Sequence, residues 1–378
     1  MSKRGNNEGS AYYQESKKRW AGAVSLGGGK RKVIYGKTRA EVAKKVAAAL
    51  RQHDEGVPFT PDKLTLAHYL TEWLESVRPR LKPSTHQTYR HYLNAHIIPA
   101  LGKHALTKLK SDHVQAFLNE RHASGLAPRT VQQIHAILRS ALNRALKWQK
   151  VSRNIATLVD VPRAPGASVY PLTNDGVIAL LEAAQGHAYE YLYAFLLATG
   201  LRLGEALALR WQDDDGQVLV DLNARRVTVK YTLERLRAGQ PWRIVEPKSE
   251  SGCRSVPLTA PAVAALRSQR ARTAEQRLQV QLSVLVFPNS TGAPLDGTSV
   301  HHVFKRLLTR AGLPSTHRVH DLRHSTATYL LAAGVDSRIV MDIMGWSQAS
   351  MLKRYQHVLP AMLDEAAARL EIALPLAR

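Results

Sequence analysis

Apolar positions along the chain follow three different rhythms. Up to residue 56 they form short strand-like runs, Arg19–Leu26 and Lys32–Tyr35, joined through a Gly27-Gly28-Gly29 turn, and a helix is expected over Thr38–Gln52. From 64 to 155 the spacing is helical throughout. Leu66, Tyr69, Leu70, Trp73 and Leu74 recur on one face, Ser84-Thr85 start a second helix that should end before Pro99, and Ser111 should cap a third running to Gly125. Pro128 opens a fourth helix reaching about Trp148, on which Val131, Ile134, Ile137, Leu138, Leu142 and Leu146 form one core stripe. Arg129, Arg139, Arg144, Lys147 and Lys150 lie largely off that stripe.

Beyond about residue 167 the pattern is mixed. Helices are expected near Asn174–Ala184 and Tyr189–Thr199, strands near Val218–Leu222, Arg226–Tyr231 and Ser255–Leu258, then a long helix over Ala260–Val280 and several more. Gly56-Val57-Pro58-Phe59-Thr60-Pro61 and Pro162-Arg163-Ala164-Pro165-Gly166 read as linkers. The expected architecture is multidomain α+β: a small N-terminal β-sheet plus helix over 1–56, an all-helical block over 62–160, and a mixed, mostly helical block with a small antiparallel sheet over 167–378.

Charge narrows the class of partner. The chain of 378 residues carries 53 Lys and Arg against 30 Asp and Glu, a formal net charge of +23, and its first 60 residues hold 13 basic against 5 acidic side chains. An excess of that size points to a polyanion. A basic membrane-surface protein would add an amphipathic apolar face or a lipid signal, and neither is visible. The apolar stretch Tyr191–Ala198 is too short to span a bilayer, and Met1-Ser2-Lys3-Arg4-Gly5 lacks a signal-peptide core. Cys253 stands alone, which rules out an internal disulfide and suits a reducing compartment. The composition therefore favours nucleic acid.

Three motifs invite a chemical reading and fail it. Gly27-Gly28-Gly29-Lys30 is followed by Arg31 where a phosphate loop needs Ser or Thr, and its glycines are wrongly spaced, so it is a turn. His320 and His324 have the spacing of a zinc pair, but Arg323 beside them would repel a cation. No metal or cofactor is expected. Asn289-Ser290-Thr291 matches a glycosylation acceptor with nothing else to suggest secretion.

What remains is a set of cationic, acid–base and nucleophilic residues in the last block. Arg202 stands in Thr199-Gly200-Leu201-Arg202-Leu203-Gly204-Glu205, and Lys248 in what reads as a hairpin turn, Pro247-Lys248-Ser249 leading to Arg254-Ser255-Val256-Pro257-Leu258. His320 and Arg323 share a helical face in His320-Asp321-Leu322-Arg323-His324, and Met344-Gly345-Trp346 precedes Tyr355 in Arg354-Tyr355-Gln356-His357. Taken singly, each has a bland structural explanation. Jointly, in this order and with these separations, the segments over roughly 170–360 resemble the tyrosine recombinase family, the phage-integrase type of site-specific recombinase. The helical block resembles that family's core-type DNA-binding domain more loosely, and the N-terminal sheet its arm-type DNA-binding domain.

The chemistry suits those residue types. Enzymes remove roughly 8–23 kcal/mol from barriers such as phosphodiester cleavage. Two arginines can fork onto both non-bridging oxygens of a phosphate, the part assigned to Arg202 and Arg323. With a phenol pKa near 10, only about one Tyr355 in a thousand is ionised at neutral pH, so a base is needed and His320 is the one expected. Lys248 would protonate the leaving 5′-oxygen. By resemblance, Trp346 fills a position where many relatives carry His, packs on Tyr355 and donates its indole N–H to the phosphate. Glu205 would brace the site, and His324 and His357 are read as structural.

The resemblance further implies attack by Tyr355 to give a 3′-phosphotyrosyl link, then rejoining by a 5′-hydroxyl, without metal or ATP. It implies double-stranded DNA attachment sites as substrate, a homotetramer on DNA, a directionality factor and a host DNA-bending protein as partners, no membrane, and a place in the cytoplasm on a bacterial host nucleoid. The element moved would be one such as a temperate phage. A C-terminal helix over about 361–373, with Met362, Leu363, Ala366 and Leu370 on one face, is a candidate for docking on a neighbouring subunit. Two rivals are a type IB topoisomerase, disfavoured by the separate basic N-terminal block, and a non-catalytic DNA-binding protein, disfavoured by the full catalytic set.

Overall fold

The N-terminal sheet has one strand more than its apolar runs announce. In the computed structural model, which describes residues 11–25, 31–54, 64–165, 170–235, 242–247, 252–276 and 284–358, β1 (Ala11–Gln14) pairs antiparallel with β2 (Arg19–Ser25), and β2 with β3 (Arg31–Gly36). Ala-Tyr-Tyr-Gln has no alternation to mark it as a strand. Its place is set by cross-strand pairing, with Tyr13 opposite Trp20 and their rings 5.4 Å apart. Helix α1 (Arg39–Asp54) begins one residue after Thr38, whose hydroxyl accepts from the Glu41 N–H at 3.2 Å. Val42, Val46 and Ala49 of α1 close over Val24 of the sheet. The turn read at Gly27–Gly29 and the linker read at Gly56–Pro61 lie outside the described residues.

The chain divides into two units, Met1–Pro165 and Gly166–Arg378. In the first, the helical block has its own apolar core. Helix α2 (Leu66–Val77) starts at Thr65, whose hydroxyl accepts from the His68 N–H, and it buries Leu66, Tyr69, Leu70, Trp73 and Leu74 as the spacing requires. Helix α3 (Pro83–Tyr92) does not stop before Pro99 as expected. It widens into a π-helical turn over Leu93–Ile97 and continues as α4 (Ile98–Leu101), with Pro99 in the first turn of the new segment. The widened turn absorbs the N–H that proline lacks and the carbonyl its ring would strike.

Two further expectations need correction. Helix α5 (Ser111–Ala123) has Lys110 at the capping position, and Ser111 is its first helical residue, its hydroxyl turned toward Asp112. In α6 (Pro128–Lys147), Val131, Ile134, Ile137, Leu138 and Leu142 are buried, but Leu146 is 39% exposed and Ala145 takes its place inside. Steps of four residues drift by about 40° each, so Leu146 has rotated off the face that Leu138 defines. Polar groups close the block: the Tyr69 hydroxyl donates to the Ala141 carbonyl at 2.6 Å, and the Asn154 amide to the Arg139 carbonyl at 3.0 Å.

The second unit is built around α8. Helix α7 (Asn174–Ala184) has the expected bounds, and α8 (Glu190–Thr199) buries Leu192, Tyr193, Phe195 and Leu196. Helix α9 (Leu203–Leu207) follows after Gly200. The strands are shorter than expected: β4 (Val220–Asp221) and β5 (Arg226–Val229). A second, unanticipated ribbon pairs β6 (Thr232–Glu234) with β7 (Arg243–Val245), before β8 (Arg254–Pro257) completes the sheet in the order β4-β5-β8. Helices α10 (Ala260–Gln276), α11 (Gly297–Arg310), α12 (Val319–Ala332) and α13 (Ser337–Met344) lead into 3-10 turns over Ala349–Val358. The Tyr193 hydroxyl donates to the Val300 carbonyl at 2.8 Å, pinning α8 to α11. The helix expected over 361–373 lies outside the described residues. Among the described residues no helix is long and apolar enough to cross a membrane.

Candidate active site

Two helix ends, far apart in sequence, define the site. Helix α8 closes on Gly200 at φ 64° and α13 closes on Gly345 at φ 62°, left-handed conformations that favour glycine. A Cβ on Gly200 would also fall 2.6 Å from the Met344 side chain. These ends turn backbone carbonyls toward a cluster of guanidinium groups. Arg323, one turn into α12 and 2% exposed, donates to the Gly200 carbonyl at 2.6 Å and to the Met344 carbonyl. Arg202, at the start of α9, donates to the Gly345 carbonyl at 3.2 Å and keeps 40% of its side chain exposed.

Glu205 organises the cationic side. Its carboxylate reaches back to the Arg202 backbone N–H at 2.9 Å, the acidic half of a capping box, and accepts from the Arg202 side chain at 2.7 Å. Arg254, from the start of β8, donates to both carboxylate oxygens at 3.1 and 2.9 Å. Burial alone would raise the Glu205 pKa. The two-armed bond from Arg254, with Arg202 behind it, outweighs that and lowers it to about 2. Burial, and next the charge of Arg202, bring the Arg323 pKa down to about 9, so that guanidinium remains charged at neutral pH.

Tyr355 sits at a non-helical kink (φ −110°, ψ 16°) within the 3-10 turns and is 1% exposed. Its ring stacks on Trp346 with centroids 5.4 Å apart and planes 27° from parallel, while Arg323 lies over the Trp346 ring at 5.8 Å. The phenol oxygen is 2.5 Å from Nδ1 of His324. With the ring proton on Nε2, Nδ1 accepts from the hydroxyl. His320, one turn earlier on α12, packs edge-on to His324 with centroids 4.8 Å apart. Protein crowded about the His320 ring, then the coulombic influence of the neighbouring His324 ring and of the Arg323 and Arg202 guanidinium groups, lower its pKa to about 4. The residue as a whole is exposed, and water at that edge tempers the shift. A neutral imidazole at pH 7 follows, which is the form a base requires.

Arg202, Arg323, Trp346 and Tyr355 are thus joined through consecutive contacts, with His320 beside them. Lys248 lies outside the described residues, in the segment 248–251 between β7 and β8. Two residues at the site escape the sequence reading of its chemistry. His324, read as structural, is the group that holds the Tyr355 hydroxyl, and its four-residue spacing from His320 was the signal. Arg254 carries no sign in the sequence beyond its place at the head of a strand. Among the described residues no three of His, Cys, Asp and Glu group as metal ligands.

The described geometry has relatives. The phage integrase family matches residues 171–362, about half of the chain, and the phage integrase N-terminal SAM-like domain matches 65–122. An integrase of Saccharopolyspora erythraea is 28% identical over 93% of this chain and 93% of its own. A XerC-like tyrosine recombinase of Caldanaerobacter subterraneus is 27% identical over 89% of this chain and 90% of its own. Among solved structures, the Tn1549 transposon integrase in complex with a circular intermediate DNA superposes with TM-score 0.69 at 23% identity, covering 82% of this chain and 100% of that one. A lambda integrase dimer bound to a core site gives TM-score 0.59 at 17% identity over 94% and 96% of the two chains. Those structural likenesses establish the fold, and the family match carries the assignment: the chain belongs to the phage integrase family of tyrosine recombinases.

Proposed function

We propose that this chain cuts and rejoins DNA at attachment sites through a 3′-phosphotyrosyl intermediate on Tyr355, integrating and, with a partner, excising a mobile element. The observation that carries the reading is a phenol held by an imidazole and stacked on Trp346, beside two arginines that can fork onto one phosphate. In the step proposed, the Tyr355 oxygen attacks phosphorus and its proton passes to a histidine. The bond from phosphorus to the 5′-oxygen breaks, and Lys248 protonates that oxygen. The freed 5′-hydroxyl of a partner strand reverses the step, so bond energy is stored and no ATP is used. Base action by His320 requires the phenol to move off His324, since His324 holds it in this structure.

Likeness to a lambda integrase tetramer bound to a Holliday junction supports extending the reading to a tetramer on two DNA sites. The Tn1549 likeness keeps a transposon as open as a phage for the element moved. Residues 1–56 are proposed to bind arm-type sites and 62–160 core-type sites, with a directionality factor and a host DNA-bending protein as partners. The test uses a nicked suicide duplex bearing the attachment core sequenced from the junctions of the chain's own element, with EDTA present. A covalent 3′ adduct on a denaturing gel that vanishes in Tyr355→Phe is the expected result. Tight binding without an adduct would overturn the reading in favour of a binding protein.

A further inference from the structure

Three successive carbonyls at the end of α13 are each held by a different arginine. Ile343 accepts from Nε of Arg254 at 2.7 Å, Met344 from Arg323, and Gly345 from Arg202 at 3.2 Å. The last carbonyls of a helix have no N–H partner within it and carry the negative end of its dipole, so cations gather there. The three arginines are not equivalent. The Arg202 side chain is 40% exposed, whereas that of Arg254 is 7% exposed and bonded on every side: to Ile343, to both oxygens of Glu205, and to the Gly252 carbonyl at 3.2 Å. Arg254 cannot reach a phosphate without abandoning Glu205.

We propose that Arg254 is a positioning residue for the strand-cleavage reaction: it neutralises Glu205 so that the charge of Arg202 stays available to the scissile phosphate, and it ties the helix end that carries Trp346 to the same carboxylate. This rests on the reading that Arg202 and Arg323 bind that phosphate. The charge count gives the reason. Arg202, Arg254 and Glu205 together carry one net positive charge, which faces outward through Arg202, the exposed member. Without Arg254, Glu205 is a buried carboxylate with Arg202 as its remaining guanidinium partner. Arg202, already bonded to Glu205 at 2.7 Å, becomes the whole counter-charge of that carboxylate, and the pair presents no net charge to DNA. The bond to Ile343 would be lost at the same time, two residues before Gly345 and three before Trp346.

The experiment measures single-turnover cleavage by the full chain on the suicide duplex described above, made with either an ordinary scissile phosphodiester or a neutral methylphosphonate. Arg254→Met should slow phosphodiester cleavage by on the order of a hundredfold while duplex binding changes little, and Arg254→Lys should recover part of the loss. On the methylphosphonate, which has no anionic oxygen to neutralise, the deficits of Arg254→Met and Arg202→Ala should shrink together. Adding Glu205→Gln to Arg254→Met should restore part of the phosphodiester rate by removing the carboxylate that captures Arg202. Wild-type cleavage by Arg254→Met, or an equal deficit on both duplexes, overturns the positioning role. If Arg254→Met does not fold, the double variant and Arg254→Lys carry the same substrate comparison. A parent chain that forms no adduct overturns the recombinase chemistry itself, whereas a competent parent beside an unimpaired Arg254→Met overturns this inference alone.

Discussion

The helical block and the second unit differ in what they bury. Between Leu66 and Ala156 the interior is mostly Leu, Ile, Val, Ala, Trp, Tyr and Phe, and the polar groups it encloses include the Tyr69 hydroxyl, bonded to backbone, and the side chains of His86 and Asn154. The second unit encloses Glu205, Asp321, Arg323 and His324 beside its apolar cluster. Burying charge is unfavourable unless each group is paired. Some of the pairing is local, as when Asp321 accepts from Arg318, and some is done by elements distant in the chain, as when Arg323 meets the Gly200 carbonyl and Arg254 meets Glu205. The first interior is organised for stability, and the second accepts a desolvation penalty where phosphate chemistry is proposed.

Substitutions can sharpen that contrast. The largest stability effect is expected from Trp73→Ala, which empties the centre of the helical core and should cost about 3–5 kcal/mol, read as a lower urea midpoint. Arg323→Lys keeps the charge but loses the fork, and should lower single-turnover cleavage by roughly 10²–10³-fold, measured on the suicide duplex. Similar cleavage rates for Arg323→Lys and the parent would remove the distinction between the two interiors at its most buried charge.

Acid should act on the second unit in a defined direction. His320 titrates at about 4 in the native protein against an ordinary 6.5, so the unfolded chain takes up its proton first as pH falls. Its contribution is intact above pH 6.5 and is lost as pH drops toward 4. Glu205, lowered from 4.5 to about 2, contributes fully above 4.5 and loses that contribution as pH falls through 2. Melting temperatures of His320→Gln followed from pH 7 to 4 should show a shallower acid slope than the parent, and an unchanged slope would assign the acid loss to other groups. The smallest effect belongs to Leu146→Lys, expected within about 0.5 kcal/mol because that leucine is exposed, against about 2–5 kcal/mol for the buried Leu142→Ala. Comparable losses for the two would place Leu146 in the core after all.

Much of this molecule was legible as written. The periodicity of Leu66 through Leu74 located α2 and its buried face, because a helix repeats every 3.6 residues whatever it packs against. The order of the Arg202, His320–Arg323, Trp346 and Tyr355 segments carried the family, since its chemistry needs those side-chain types together. Other features depended on partners that spacing does not reveal. β1 exists because Trp20 stands opposite Tyr13, and the helix before Pro99 runs on because a widened turn absorbs the proline. His324 holds the Tyr355 hydroxyl because α12 meets the 3-10 turns 31 residues later. Arg254 and Glu205, 49 residues apart, form one buried ion pair because the fold brings the head of β8 within reach of α9. Local propensity and side-chain chemistry were determined by the sequence alone, because each residue carries its own geometry. Which charges became buried, and which partner satisfied each, only the tertiary structure decided, because desolvation and pairing arise when distant segments close over one another.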